Sequence, residues 1–262
     1  MKERADKVIV ERGLAESRQK AQALIMAGRV FSGGERIDKP GQKLNPEQEI
    51  TLTEKIPFVG RGGIKLAEAL DALEISMDGK VAADLGSSTG GFTDCLLQRG
   101  ARKVYAVDVD TRQLDYRLRE DPRVVMIEKN ARYLRDEDFS DALDVITVDL
   151  SFISVLKVLP AIQKFIRSGL LVALIKPQFE VGKGQVGKKG VVRDPRLHEE
   201  VLSQIICEAE DFGFHMLGLV RSPILGQKGN REFFLLWSTR KPGLAPGRIG
   251  TLVKEAVWNA KN

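Results

Sequence analysis

The chain has 262 residues, 43% of them hydrophobic and 29% charged, which is long enough for one large domain or two unequal ones with a real core. Its formal charge of +5 is a mild basic excess, compatible with a polyanionic partner without requiring one. No internal repeat or low-complexity tract is visible, the first residues carry no apolar leader, and the longest apolar run, 170–175, falls far short of a membrane span. These features speak against repeat, secreted and membrane-spanning classes. Cys95 and Cys207 lie in predicted helices without metal-ligand spacing, so no metal site is expected and a reduced, cytoplasmic setting suits them.

Residues 1–54 read as a small α+β unit. Ala5, Val8 and Ile9 fall at i, i+3, i+4 and predict a first helix ending at Gly13. Ser17 can cap a second, with Ala21, Leu24 and Ile25 on its apolar face and Gly28 as its stop. Short strands follow: Val30–Phe31, a turn at 32–34, Glu35–Ile37 and Glu49–Leu52. The segment 55–63, with Pro57, Gly60, Gly62 and Gly63, reads as a linker, and Ile64–Leu73 as a helix.

From residue 81 strand and helix alternate. The apolar runs Val81–Leu85, Lys103–Val109, Val124–Glu128, Asp144–Leu150 and Leu170–Ile175 predict five parallel strands with helices on both faces. A helix over Leu197–Asp211 leads to His215–Arg221, but the connection from there to Glu232–Ser238 is too short for another. The last strand is therefore expected to run antiparallel. The whole is α/β, a mostly parallel seven-stranded sheet over 64–242. A tail over 243–262 is expected to form a short helix on Ile249, Leu252, Val253, Ala256 and Val257.

The run Asp84, Leu85, Gly86, Ser87, Ser88, Thr89, Gly90, Gly91, Phe92, Thr93 joins the end of a strand to the start of a helix. Its glycines permit a tight turn and close approach of a ligand to the backbone. The spacing is neither the dinucleotide fingerprint nor a P-loop, because no Lys-Ser/Thr pair closes it. Asp84 suits the ammonium of an amino-acid ligand, Asp108 at the end of the second strand suits ribose hydroxyls, and Asn130 after the third suits an adenine edge. Asp108 and Asn130 could equally be turn residues at strand ends.

The stretch 84–108, together with Arg61-Gly62-Gly63-Ile64-Lys65-Leu66, Val148-Asp149-Leu150-Ser151-Phe152-Ile153-Ser154, Lys176-Pro177-Gln178-Phe179-Glu180 and Gly229-Asn230-Arg231-Glu232, resembles the TlyA family of bacterial rRNA 2′-O-methyltransferases, some members of which bear the name hemolysin. The resemblance covers nearly the whole chain in order. It implies a Rossmann-like domain that uses S-adenosyl-L-methionine, with Asp84, Gly86, Ser87, Ser88, Thr89, Gly90, Gly91, Phe92, Asp108, Asn130 and Asp149 around the donor. The N-terminal unit resembles the RNA-binding domain of ribosomal protein S4 through Gly13-Leu14, Ser17-Arg18, Ala21, Leu24-Ile25 and Gly28-Arg29-Val30, although Ser32-Gly33 stands where that family has an apolar residue and Asn.

The larger domain is also similar to FtsJ-type RNA ribose methyltransferases, whose Lys-Asp-Lys-Glu tetrad falls on Lys65, Asp149, Lys176 and Glu232. Independently of that likeness, Asp149 and Lys176 end parallel strands and Glu232 begins an antiparallel one, so the three share one edge of the sheet. The implied reaction places a ribose 2′-hydroxyl of rRNA, expected to be that of a cytidine, in line with the donor methyl, and the hydroxyl loses its proton as it attacks. Lys176, with its pKa lowered by burial and by Lys65, would take the proton. Asp149 would hold Lys176 and the donor, and Glu232 would orient Lys65 or the hydroxyl.

For the RNA, or a ribosomal subunit containing it, the candidates are Arg4, Lys7, Arg18, Lys20 and Arg29, beside a possible clamp over 181–196 that includes Lys188 and Lys189. Charge alone is a weak pointer, since residues 1–58 carry 11 Lys/Arg against 9 Asp/Glu. Phe92, Phe152 and Phe179 lie in or beside the motifs; core packing is their ordinary role and base stacking the alternative. Two other functional classes compete. A membrane-active hemolysin needs an amphipathic or apolar membrane element, and a non-catalytic RNA-binding assembly factor predicts a damaged donor loop or tetrad. Neither feature is found in the sequence.

Overall fold

The computed structural model describes residues 2–26, 28–33, 35–52, 57–166, 169–182, 184–187, 190–226 and 228–259. Two compact units divide the chain, Met1–Arg61 and Gly62–Asn262.

In the first unit, β1 (Glu3–Arg4) leads into α1 (Ala5–Glu11) and α2 (Arg18–Met26), followed by β2 (Val30–Ser32), β3 (Glu35–Arg36), β4 (Lys43–Leu44) and β5 (Ile50–Leu52). Ser17 caps α2, its hydroxyl accepting the Lys20 N–H at 3.2 Å. The strands form an antiparallel sheet in the order β3-β2-β5, and β1 pairs with β4. Ala5, Val8, Ile9, Ala21, Ile25, Val30, Ile37, Leu44 and Ile50 form its core. The β1–β4 pair was not foreseeable, since two residues are too few to display a period of two.

The second unit opens with α3 (Arg61–Ala72) and β6 (Val81–Leu85), then α4 (Gly91–Gln98), β7 (Lys103–Asp108), α5 (Tyr116–Arg119) and β8 (Val124–Glu128). Next come β9 (Val145–Val148), α6 (Leu159–Phe165), β10 (Leu170–Ile175), α7 (Pro177–Glu180), α8 (Pro195–Glu210), β11 (His215–Arg221), β12 (Phe233–Ser238) and α9 (Pro246–Trp258). The seven-stranded sheet runs β11-β12-β10-β9-β6-β7-β8. Strand β12 is antiparallel to both neighbours, as its short connection from β11 requires. All five residues of β6 are buried, as expected of a central strand covered on both faces. The tail helix α9 buries Val253 and Val257, and Arg221 closes it by donating to the Ala256 and Val257 carbonyls at 2.6–2.9 Å.

One boundary differs from the sequence reading. Helix α3 begins at Arg61, so Gly62 and Gly63 lie in its first turn and not in a linker. The reason is packing. A side chain on Gly62 would sit 3.0 Å from the Phe92 ring, and one on Gly91 would sit 3.0 Å from the Gly63 nitrogen. Glycines on both sides let the start of α3 press against the start of α4.

Candidate active site

The turn after β6 is shaped by its neighbours. Gly86 has φ of 90°, and a Cβ there would lie 2.6 Å from the Asp149 carbonyl oxygen, so the position excludes any side chain. Ser88 also takes a left-handed conformation, with φ of 47°. Asp108 fixes this turn by accepting the Ser88 N–H at 2.9 Å and the Asp110 N–H at 3.2 Å. Asn130 caps the short turn 131–133, its Oδ1 accepting the Arg132 N–H at 3.0 Å. Both residues therefore do what the turn reading anticipates, at the ends of β7 and β8.

Two of the expected donor residues lie inside the protein. Asp84 is completely buried, and its oxygens accept the hydroxyls of Thr93 at 2.7 Å and Thr147 at 3.2 Å, so it faces the protein interior and not an open pocket. Burial pushes its carboxyl up to about 7, the charge of Asp149 pushes the same way, and the threonine hydroxyls pull against both. Phe92 is likewise interior, stacked on Phe234 with ring centroids 6.0 Å apart. Thr93 and Thr147, which the sequence reading did not single out, are the partners that hold Asp84. Ser87 keeps a buried hydroxyl oxygen with no hydrogen-bond partner at the heart of the turn.

The tetrad residues gather at one edge of the sheet as two ion pairs. Lys65 of α3 and Glu232, just before β12, form a buried pair at 2.5 Å. Lys176 and Asp149 form the second at 2.6 Å, with the Asp149 side chain more open, 23% exposed. Strand register connects the two pairs: Ile175 of β10 lies opposite Phe233 of β12, which sets Lys176 and Glu232 across from one another at the next position. Asp149 extends β9 by one residue, its N–H donating to the Leu85 carbonyl at 2.9 Å. The tip of Lys176 also donates to Ser151 Oγ at 3.0 Å and lies 6.0 Å from the centre of the Phe179 ring. Phe179 in turn packs on Phe152, centroids 5.0 Å apart, and Phe152 is 89% exposed.

The segment after Lys176 is anchored along part of its length. Asn230 accepts the Val192 N–H and donates to the Gly190 carbonyl, both at 2.9 Å, and the His198 ring meets the Val192 carbonyl at 3.1 Å. Lys188 and Lys189 lie outside the described residues.

Within the small unit, Arg4 and Arg18 converge on the buried carboxylate of Asp6, each at 3.0 Å, while their own side chains stay 46% and 58% exposed. Lys7 pairs with Glu3 and Glu11, and Lys20 with Glu16, in exposed one-turn pairs. Arg29 is half-buried.

No group of metal-ligating side chains occurs among the described residues, and no helix among them is long and apolar enough to cross a membrane.

A seven-stranded sheet with an antiparallel last strand but one in space, a glycine turn after its central strand, and two Lys–carboxylate pairs at the same edge define a class. Residues 58–239 match the model of the FtsJ-like methyltransferase family, and the chain belongs to that family. Residues 3–50 match the S4 domain. Relatives then narrow the likeness to the TlyA proteins suggested by the motifs. The chain is 44% identical to the 16S/23S rRNA (cytidine-2′-O)-methyltransferase TlyA of Mycobacterium tuberculosis, over 90% of each chain. It is 48% identical to a Bacillus subtilis protein provisionally named an rRNA methyltransferase, YqxC, over 89% of this chain and 85% of that one. A solved structure from Streptococcus thermophilus, provisionally named a hemolysin, superposes with a TM-score of 0.75 at 43% identity, over 97% of this chain and 95% of that one.

Proposed function

We propose that the chain transfers a methyl group from S-adenosyl-L-methionine to a ribose 2′-hydroxyl of ribosomal RNA, that of a cytidine, in the cytoplasm. The observation that carries this reading is the pair of Lys–carboxylate contacts, Lys65–Glu232 and Lys176–Asp149, at the sheet edge beside the glycine turn.

The turn fits a cationic nucleoside. Three carboxylates, Asp84, Asp108 and Asp149, stand at the ends of β6, β7 and β9, and no phosphate-binding lysine closes the turn. Asp149 and Asp108 would hold the amino-acid and ribose portions, Asn130 the adenine edge, and Gly86, Ser87, Ser88, Thr89, Gly90 and Gly91 would supply the backbone and hydroxyl contacts. Asp84 would act from beneath, through its charge. When bound, the donor supplies an electrophilic methyl on a sulfonium.

Lys176, once its ammonium has given up a proton to solvent, would hold the acceptor hydroxyl and take its proton as the new carbon–oxygen bond forms and the methyl–sulfur bond breaks, a contribution of typically 10²–10⁴-fold for positioned acid–base groups. Asp149 sets the place of Lys176. Glu232 sets the place of Lys65 from a pair too buried to wander. Phe152 and Phe179 would offer the target base a stacking face beside Lys176; such stacking is worth about 1–3 kcal/mol per base. In the N-terminal unit, over 1–54, Arg4 and Arg18 would contact phosphates, helped by Lys7, Lys20 and Arg29, while Lys188 and Lys189 would reach the RNA from the larger domain.

The test is transfer of tritiated methyl groups to isolated ribosomal subunits and to naked rRNA, followed by alkaline hydrolysis. A methyl on the 2′-oxygen blocks cleavage at that nucleotide, so the label is expected in an alkali-resistant dinucleotide with cytidine on its 5′ side. Label released in mononucleotides would place the methyl on a base and refute the ribose assignment.

A further inference from the structure

The loop between β9 and the turn 155–157 is held at both ends and bent in the middle. At its start Asp149 is tied to the Leu85 carbonyl. At its end Ser154 caps the turn, its hydroxyl oxygen accepting the Leu156 N–H at 3.2 Å. Between them Phe152 adopts φ of 65°, and its side chain projects into solvent. A bulky residue in that backbone region is strained, and the surroundings must over-determine it for it to persist. An exposed phenyl ring adds to the cost, because its burial elsewhere would be favourable.

Glu180, the last residue of α7, supplies the constraint. Its Oε1 accepts the Val155 N–H at 2.9 Å. Burial pushes this carboxyl above the ordinary glutamate value, and hydrogen bonding pulls it back. Helix α7 has only four residues and follows Lys176 directly. One carboxylate therefore joins the segment carrying Lys176 and Phe179 to the segment carrying Ser151 and Phe152. Across that seam lie the Lys176–Ser151 hydrogen bond and the Phe152–Phe179 contact.

We infer that Glu180 is a positioning residue for the acceptor nucleoside: by clasping Val155 to α7, it holds the Ser151–Phe152 arch beside Lys176 and presents the Phe152 ring to the target base. The inference rests on the methyl-transfer reading above. Glu180 acts through the loop and not on the reacting atoms.

The test compares wild type, Glu180→Ala, Glu180→Gln, Phe152→Ala and the Glu180→Ala/Phe152→Ala double variant in steady-state methyl transfer to rRNA. S-adenosylmethionine affinity and hydrogen exchange over 150–156 are measured alongside. Glu180→Ala is expected to lower kcat/KM for RNA roughly 10- to 100-fold, the scale for a misplaced reactant, mostly through KM. It should leave donor affinity unchanged and speed exchange at the Val155 amide. Glu180→Gln, whose amide oxygen can still accept that N–H, should recover most of the loss. In the Phe152→Ala background, Glu180→Ala should cost little more, because the two residues act as one unit. The inference is overturned if Glu180→Ala keeps the wild-type KM and kcat, if its loss multiplies in full with that of Phe152→Ala, or if donor affinity falls with it. Wild type that methylates no RNA would instead overturn the methyl-transfer reading, and the positioning role with it.

Discussion

Among the described residues, each unit has one aspartate with no exposed surface, and the two have opposite electrostatics. In the small unit Asp6 accepts hydrogen bonds from Arg4, Arg18 and Gln22 at 2.9–3.0 Å. The Arg4 contact, with Gln22 and Arg18 behind it, holds the carboxyl well below the usual aspartate range against the opposing effect of burial. In the large unit Asp84 has two threonine hydroxyls and a neighbouring negative charge, and burial wins, pushing it up to about 7. Burial sets the penalty; the charge of the partners decides whether it is offset. Asp6 is thus an organiser of cations already in place, which leaves two half-exposed guanidinium groups fixed at the surface of the unit. Asp84 lacks a cation, beneath a turn where the proposed donor would bring one.

The largest expected effect concerns Asp84. Its folded carboxyl titrates near 7, against 3.8 for an ordinary aspartate. Between those values the folded state keeps a proton that the unfolded chain has lost. Stability from this group therefore falls as pH rises from about 4 to about 7, and the full penalty remains above that. The difference between those two values corresponds to roughly 4 kcal/mol. In urea unfolding without ligand, Asp84→Asn should exceed wild type by a few kcal/mol at pH 8 and by much less at pH 5. A gap independent of pH would break the comparison.

Asp6 should behave in the opposite way. Its folded pKa is lowered, so the stability it provides is present above the unfolded value and is lost only as the pH falls below it. Asp6→Asn should destabilise the small unit by about 3 kcal/mol, the low end for breaking a buried pair because both arginines are half-exposed. Hydrogen exchange in α1 and α2 of the full chain reads this directly, and the loss should be the same at pH 5.5 and pH 8.

Smaller effects separate the organised arginines from the lysines. Arg4→Ala or Arg18→Ala should weaken RNA binding and reduce the slope of log affinity against log salt by about one. Lys7→Ala and Lys20→Ala, drawn from exposed one-turn pairs, should weaken it less. The four titrations in parallel would show whether organisation by Asp6 matters beyond charge. Smallest in consequence is the contrast between thiols: burial pushes Cys95 up to about 12, whereas Cys207 is exposed. Iodoacetamide should modify Cys207 in the native protein and spare Cys95.

The seven strands and the direction of the last were legible because apolar runs bounded by turn residues define strands, and a connection too short for a helix enforces an antiparallel return. The residues at the strand ends followed from the same reading. Other features depend on contacts distant in sequence. Gly62 and Gly63 look like linker punctuation until Phe92 and Gly91 are found against them. Asp84 reads as ligand-facing because an acid ends a strand, and only Thr93 and Thr147 show that it points inward. Phe92 looks available for stacking until Phe234 occupies its face. Glu180 gives no local signal, since the Val155 N–H that it accepts lies 25 residues earlier in the chain.

Lys176 at the sheet edge is the residue proposed to serve methyl transfer to a ribose hydroxyl. That role is tested most directly by following label from S-adenosylmethionine into ribosomal subunits and naked rRNA with wild type and Lys176→Ala, with donor affinity measured for both. The account predicts alkali-stable label with wild type, a loss of roughly 10²–10⁴-fold with the variant, and equal donor affinity. Turnover by Lys176→Ala at the wild-type rate, or no donor binding by either protein, would contradict it.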